Sequence, residues 1–218
     1  MDEEYWENRY ASGGTSGPGS IGAHWEWKWK VINVFLPTID HLIDVGCGDL
    51  TFWKGRECKD YIGIDISETI INRNRIKRPA WSFIKAPAQR RIDGLKKEVV
   101  FCLGLLFHVM NSEIFLKILN NLCYYSTDFI FIYTWMNNPF TLQYYKRCIL
   151  HYFRTLNIRG LLATLRQALF YPYTDEKYQF FRPLEKYLYV FDKNGFKLVK
   201  RRKNPDKIGA LYVFKKQL

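Results

Sequence analysis

Short apolar runs alternate with amphipathic stretches through the middle of the chain. The segments 41–45 (HLIDV), 61–66 (YIGIDI), 81–85 (WSFIK), 99–106 (VVFCLGLL) and 129–135 (FIFIYTW) each hold a few apolar residues bounded by Gly, Asp or other polar positions, a pattern that predicts buried strands. Between them, Glu68–Lys77, a short piece at Arg90–Leu95 and Ser112–Tyr125 predict helices. The last of these places Ile114, Phe115, Ile118, Leu119 and Leu122 at helical spacing. Strand, helix, strand repeated in this way predicts a mostly parallel sheet covered by helices. Toward the C-terminus, Pro183–Asn194 predicts an amphipathic helix, and the runs FKLVKRR and ALYVFKK, joined by NPDKIG, predict an antiparallel hairpin closing one edge of the sheet.

Composition narrows the class. A chain of 218 residues with 48% hydrophobic and 17% aromatic residues suits one α/β domain with a sizeable core. Five widely spaced cysteines without a CxxC pair argue against a disulfide framework and a zinc site, and lead us to expect a reducing cytoplasm. The N-terminal MDEEYWENRY is acidic where a signal peptide would be basic, and no apolar run approaches the roughly 20 residues that span a bilayer. Neither export nor a membrane span is expected. The formal net charge of +12 attracts polyanions, leaving nucleic acid, anionic lipid and phosphorylated substrates open as partners. The glycine-rich stretch Ser12–Ser20 reads as a flexible loop. Tyr5, Trp6 and Tyr10 precede it and Trp25, Trp27 and Trp29 follow, so it is tethered at both ends, as a lid would be.

The chemistry concentrates after the first strand, where Asp44-Val45-Gly46-Cys47-Gly48 runs from apolar residues into two glycines separated by one residue. Glycines there let the backbone turn tightly and approach a ligand closely. Asp65 ends the second strand and sets a carboxylate beside the same crevice, where it can accept both hydroxyls of a ribose. With these residues the chain resembles the class I, Rossmann-like S-adenosylmethionine-dependent methyltransferases over roughly 39–135, nearest to members that act on small molecules and glycans.

The resemblance implies an α/β three-layer sandwich, mostly parallel with a C-terminal antiparallel hairpin and a helical insert. It implies S-adenosylmethionine as cofactor and S-adenosylhomocysteine as product. It places Gly46, Cys47 and Gly48 at the methionine part, Asp44 under the loop or at the amino group and Asp65 at the ribose, with Ile66 and Ala88 also at the cofactor. Cys102, Leu103 and Gly104, at the end of the fourth strand, then line the cofactor. Two departures stand out. Leu50 occupies the position of the family's third glycine, which also counts against a nicotinamide enzyme, and no acid follows the third strand in Phe83–Gln89. The N-terminal block is similar to the head of some of these relatives, where Trp6 or Tyr10 would stack on the ligand and Arg9 pair with its carboxylate; the other reading is that the aromatics pin the arm to the domain.

His108 follows the fourth strand and carries two readings, a general base or a residue hydrogen-bonded at the start of the next helix. Tyr178 and Arg182, in a segment that again resembles these relatives, are candidates to face the acceptor, and no cluster suited to a metal is evident. The chain thus divides into an N-terminal arm and lid (1–37), a cofactor-binding core (38–135), a helical insert (136–182) and a closing helix and hairpin (183–218). The insert is expected to recognise substrate. From Phe129 to Thr174 there is no Asp or Glu, while Lys146, Arg147, Arg154, Arg159 and Arg166 lie among aromatics and leucines in two basic helices broken near Asn157–Gly160. They could wall an apolar pocket, lie on an anionic membrane or bind single-stranded nucleic acid. The function expected is metal-independent methyl transfer to an oxygen or nitrogen of a small molecule or glycan. The alternatives are an RNA or DNA methyltransferase and a silent scaffold that binds S-adenosylmethionine.

Overall fold

The computed structural model describes residues 3–175 and 178–217. Glu176 and Lys177, in the segment expected to reach the acceptor, and the terminal Leu218 lie outside the described residues. In chain order the elements are α1 (Glu3–Ala11), α2 (Gly22–Phe35), β1 (His41–Val45), β2 (Asp60–Asp65), α3 (Glu68–Lys77), β3 (Ser82–Lys85), β4 (Lys97–Leu103), α4 (Ser112–Tyr125), β5 (Ser126–Trp135), α5 (Leu142–Arg154), α6 (Ile158–Phe170), α7 (Leu188–Lys193), β6 (Phe196–Lys203) and β7 (Gly209–Lys216).

The sheet order is β3-β2-β1-β4-β5-β7-β6. Strands β1 to β5 run parallel, β7 lies antiparallel to β5, and β6 pairs antiparallel with β7. The order reverses between β1 and β4, so a crevice opens outside their carboxyl ends, the usual place for a ligand in an open α/β sheet.

Strand pleating divides the core into two layers. Ile43, Val45, Val100, Cys102, Ile130 and Ile132 pack with α4 and α7 on one face. On the other, Leu42, Phe101, Phe131 and Val213 pack with Trp29 and Ile32 of α2, Ile71 of α3, and Trp53. Helix α3 begins where Ser67 accepts a hydrogen bond from the Ile70 amide, and α4 where Asn111 accepts from those of Glu113 and Ile114.

Three expectations are corrected. Arg90–Leu95 is not a helix, because the hydroxyls of Tyr125 and Tyr124 take the amides of Ile92 and Gly94 and hold the segment in turns. The fourth strand stops at Leu103: Gly104 turns to φ +98° and gives its amide to Tyr133 O. Pro183–Asn194 is split into a 3-10 turn at Leu184–Tyr187 followed by α7. Both segments flanking the glycine-rich stretch are helical, as α1 and α2.

Candidate functional site

A cleft of about 370 Å³ lies over the carboxyl ends of β1, β2, β4 and β5. Its floor is the β1 loop. The amides of Gly46 and Cys47 both donate to Ile64 O, at 2.8 and 3.1 Å, which locks the loop to β2. Gly46 and Gly48 have φ of +78° and +54°, in the left-handed region, and a Cβ on either would stand 2.5 Å from Leu105 Cδ1 or 2.2 Å from Ser16 Oγ. Leu50 also takes a left-handed conformation, with φ 59°. Burial of its side chain in the aromatic layer offsets the strain of a non-glycine residue there.

Two buried carboxylates define this end of the cleft. Asp65 accepts from the Gly48 amide through one oxygen at 3.0 Å and from the Ser67 amide through the other at 3.1 Å. Burial raises its pKa, against those backbone hydrogen bonds, and both oxygens retain lone pairs for a ligand. Asp44 Oδ2 accepts from Trp53 Nε1 at 2.8 Å and Tyr61 OH at 3.0 Å. Burial pushes its pKa up to about 6. Ile66 and Ala88 line the cleft beyond Asp65, as do Leu103 and Gly104 at the end of β4. Cys102 does not, since the pleat turns it into the α4 layer.

The N-terminal arm closes the cleft from above. Glu7 of α1 accepts from Ser67 Oγ at 2.6 Å, and from the Thr69 amide and hydroxyl at the start of α3. Arg73 donates to Tyr10 O at 2.8 Å. The glycine-rich loop is pinned rather than free: Ser16 Oγ donates to Asp49 Oδ1 at 2.8 Å and accepts from the Asp49 amide at 2.9 Å. Trp6 and Arg9 both line the cleft, but Arg9 spends one donor on Thr15 O, at 2.8 Å.

His108 and Tyr178 form an aromatic wall with Tyr5 and Trp6. Trp6 meets the His108 ring edge to face at 4.9 Å, and Tyr178 stacks on Tyr5 at 4.5 Å. His108 Nδ1 lies 3.1 Å from Tyr178 O, so Nδ1 carries the proton and donates. Burial lowers the His108 pKa to about 4, which leaves a neutral ring of weak basicity. His108 is hydrogen-bonded, as in its second reading, but to the bend at Tyr178 rather than at the start of the next helix. Arg182 is turned away from the cleft. It is buried, donates to Val109 O and Met110 O, and lies over the Phe180 ring at 4.2 Å. It ties the chain behind the wall instead of facing an acceptor.

The opposite end of the cleft holds residues that the strand motifs did not reveal. Lys28 of α2 is buried, donates to Gly19 O at 2.7 Å and places its ammonium position 3.9 Å from the centre of the Tyr133 ring. Burial lowers its pKa to about 7. Beside it, His24 Nε2 lies 3.5 Å from Asp206 Oδ2, in the β6–β7 loop, while its Nδ1 is buried without a hydrogen-bond partner among the described residues. Phe107 stacks on Trp135 at 4.6 Å and completes this end. Spacing carries a trace of Lys28: with Trp25, Trp29 and Ile32 it falls at i, i+3, i+4 and i+7, a lysine set into an otherwise apolar helical stripe.

No residue of α5 or α6 lines the cleft, which corrects the reading that these two helices wall the substrate pocket; the insert reaches the cleft through Tyr178 and Gln179. Among the described residues, no three His, Cys, Asp or Glu side chains gather as metal ligands, and no helix is long and apolar enough to cross a membrane.

No protein-family model and no curated protein sequence matches the chain. Solved structures do. Magnesium protoporphyrin IX methyltransferase (ChlM) from Synechocystis PCC 6803 with bound SAH superposes with a TM-score of 0.63 at 15% identity, over 100% of both chains. N-methyltransferase NodS from Bradyrhizobium japonicum WM9, in complex with S-adenosyl-l-homocysteine, gives 0.61 at 10% identity over 93% of this chain and 90% of that one. A TehB-like SAM-dependent methyltransferase from Corynebacterium glutamicum gives 0.57 at 13% identity, covering 98% and 95%. The chain has the Rossmann-like α/β fold of these methyltransferases, with the mostly parallel sheet and C-terminal antiparallel hairpin expected from its sequence.

Proposed function

We propose that this protein is an S-adenosylmethionine-dependent methyltransferase that acts on a small molecule, sugars included, at an oxygen or nitrogen and without a metal. The observation that carries this reading is the buried Asp65 carboxylate, bonded to the Gly48 amide at the switch point of the sheet. The fold shared with structures that hold SAH and SAM supports it. The sulfonium of the bound cofactor supplies an electrophilic methyl group, so no Lewis acid is required to activate it.

The residues of this chain divide the remaining work. Asp65 accepts the ribose hydroxyls, Ile66 and Ala88 face the adenine, and Asp44 supplies negative charge near the methionine amino group. Helix α1, clamped through Glu7, excludes water from above. At the other end, the Phe107, Tyr133 and Trp135 rings offer a platform for a flat or ring-shaped acceptor. Lys28 takes the proton that the acceptor's hydroxyl or amine releases. With a pKa of about 7, its amine is substantially deprotonated at neutral pH, as a general base requires; His108 is neutral too, but a pKa of about 4 makes it the weaker base.

Binding to the folded state alone raises stability with ligand concentration. At a hundredfold excess over Kd, S-adenosylhomocysteine is expected to add about 2.7 kcal/mol, or roughly 5–10 °C of Tm for a chain of this size. Thermal melting against ligand concentration checks this, and a Tm that stays constant would count against the proposal.

A further inference from the structure

The insert carries a surface that the cleft leaves unexplained. In α6, Ile158, Leu162, Leu165 and Leu169 follow one another at i, i+4, i+7 and i+11, one stripe down the helix. In α5, Leu142, Leu150 and Phe153 share a face, and Leu156 lies in the turn between the helices. These eight side chains are between 41% and 85% exposed. The stripe is not an unfinished seam between the two helices. The two helices already pack on each other, with Gly160 so close that a Cβ would stand 2.5 Å from the Tyr152 ring, and Tyr145 and Thr164 are buried. Of the sixteen exposed large hydrophobic side chains among the described residues, eleven lie between 142 and 173, and the other five are scattered. Patches of this kind mark an interaction surface.

Charge selects the occupant. Lys146 lies within the α5 stripe, while Arg154, Arg159 and Arg166 stand about 100° round their helices from Phe153, Ile158 and Leu165, and Arg147 about 60° from Leu150. No Asp or Glu occurs from Phe129 to Thr174, and the chain as a whole carries +12. A second copy of this surface would set cations against cations with no acid to pair them. A bilayer with anionic headgroups answers both features, because the apolar stripe enters the acyl boundary while arginine and lysine stems reach back to the phosphates.

We infer that the α5–α6 hairpin is a docking surface for anionic membranes, through which the protein associates peripherally with a bilayer. This is independent of the chemistry in the cleft. Docking is reversible and electrostatically assisted, so it weakens as salt rises.

Flotation with vesicles tests it, comparing phosphatidylcholine alone with mixtures containing about one-third phosphatidylglycerol. The full chain is expected to float with the anionic vesicles and not with the neutral ones. Leu162→Glu with Leu169→Glu, both at exposed positions, is expected to reduce partitioning at least about tenfold, and Arg154→Gln with Arg159→Gln is expected to reduce it as well. Both pairs should keep the wild-type melting temperature. Wild type that stays off anionic vesicles overturns the inference. So does an apolar pair that binds as wild type does, a solution mass of twice the monomer that the leucine pair abolishes, or binding to single-stranded RNA in place of vesicles.

Discussion

Lys28→Met is expected to reduce methyl transfer by about 10²–10⁴, the usual contribution of a general base, while leaving the affinity for S-adenosylhomocysteine unchanged. The substitution keeps an unbranched stem as far as Cε, with sulfur in place of Cδ, and removes the amine. It is expected to leave stability unchanged or to raise it, since the desolvated Lys28 has no carboxylate partner among the described residues and its lowered pKa records the cost of burial. Lys28→Arg separates base from charge: a guanidinium keeps a cation beside Tyr133 but cannot accept a proton near neutral pH. Loss of activity in both variants, with kcat/KM of the wild type rising to a plateau above about pH 7, identifies Lys28 as the base. Release of S-adenosylhomocysteine across a panel of phenols, sugars and amines is the assay. Full turnover by Lys28→Met would remove Lys28 from the reaction.

Asp44 makes stability fall with rising pH. Its carboxyl loses a proton near 3.8 in the unfolded chain and near 6 in the folded one, where burial is the main cause and the Trp53 and Tyr61 hydrogen bonds oppose it. Between those values the folded state binds more protons than the unfolded, so stability declines through that window and the loss is complete above about pH 6. Its size is about 3 kcal/mol, from 1.36 kcal/mol for each pKa unit. Asp44→Asn keeps an oxygen for Trp53 and Tyr61 and does not titrate. Relative to wild type it is therefore expected to gain about 2.4 kcal/mol between pH 4 and 7, where part of the linkage is already spent at pH 4, or roughly 5–10 °C of Tm. Urea unfolding at both pH values measures the difference, and parallel curves would show that Asp44 titrates normally.

The reach of the sequence follows from how local each signal is. Helices α3 and α4 run over the residues predicted for them, α4 from its apolar spacing, and the β1 loop with Asp65 was readable because strand, glycines and carboxylate lie within about one βαβ unit. The Arg90–Leu95 turns were not readable, because the deciding hydroxyls come from Tyr124 and Tyr125 some thirty residues away. The arm shows the same limit. Glu7 looks like one acid among several in the first ten residues, and only folding brings it onto Ser67 and Thr69. Arg182 resembled a ligand contact in its segment, yet the carbonyls of Val109 and Met110, seventy residues earlier, take its donors. Lys28 left a trace that becomes legible only once 22–35 is known to be a helix.

Calorimetric titration of S-adenosylmethionine and S-adenosylhomocysteine into wild type and Asp65→Ala tests the cofactor site most directly. Wild type is expected to bind both at micromolar concentrations and the variant at least about a hundredfold more weakly, since each charge-assisted hydrogen bond to a buried carboxylate contributes about 1.5–3 kcal/mol. Folded wild type that binds neither, or Asp65→Ala that binds both as wild type does, would contradict the proposed cofactor site.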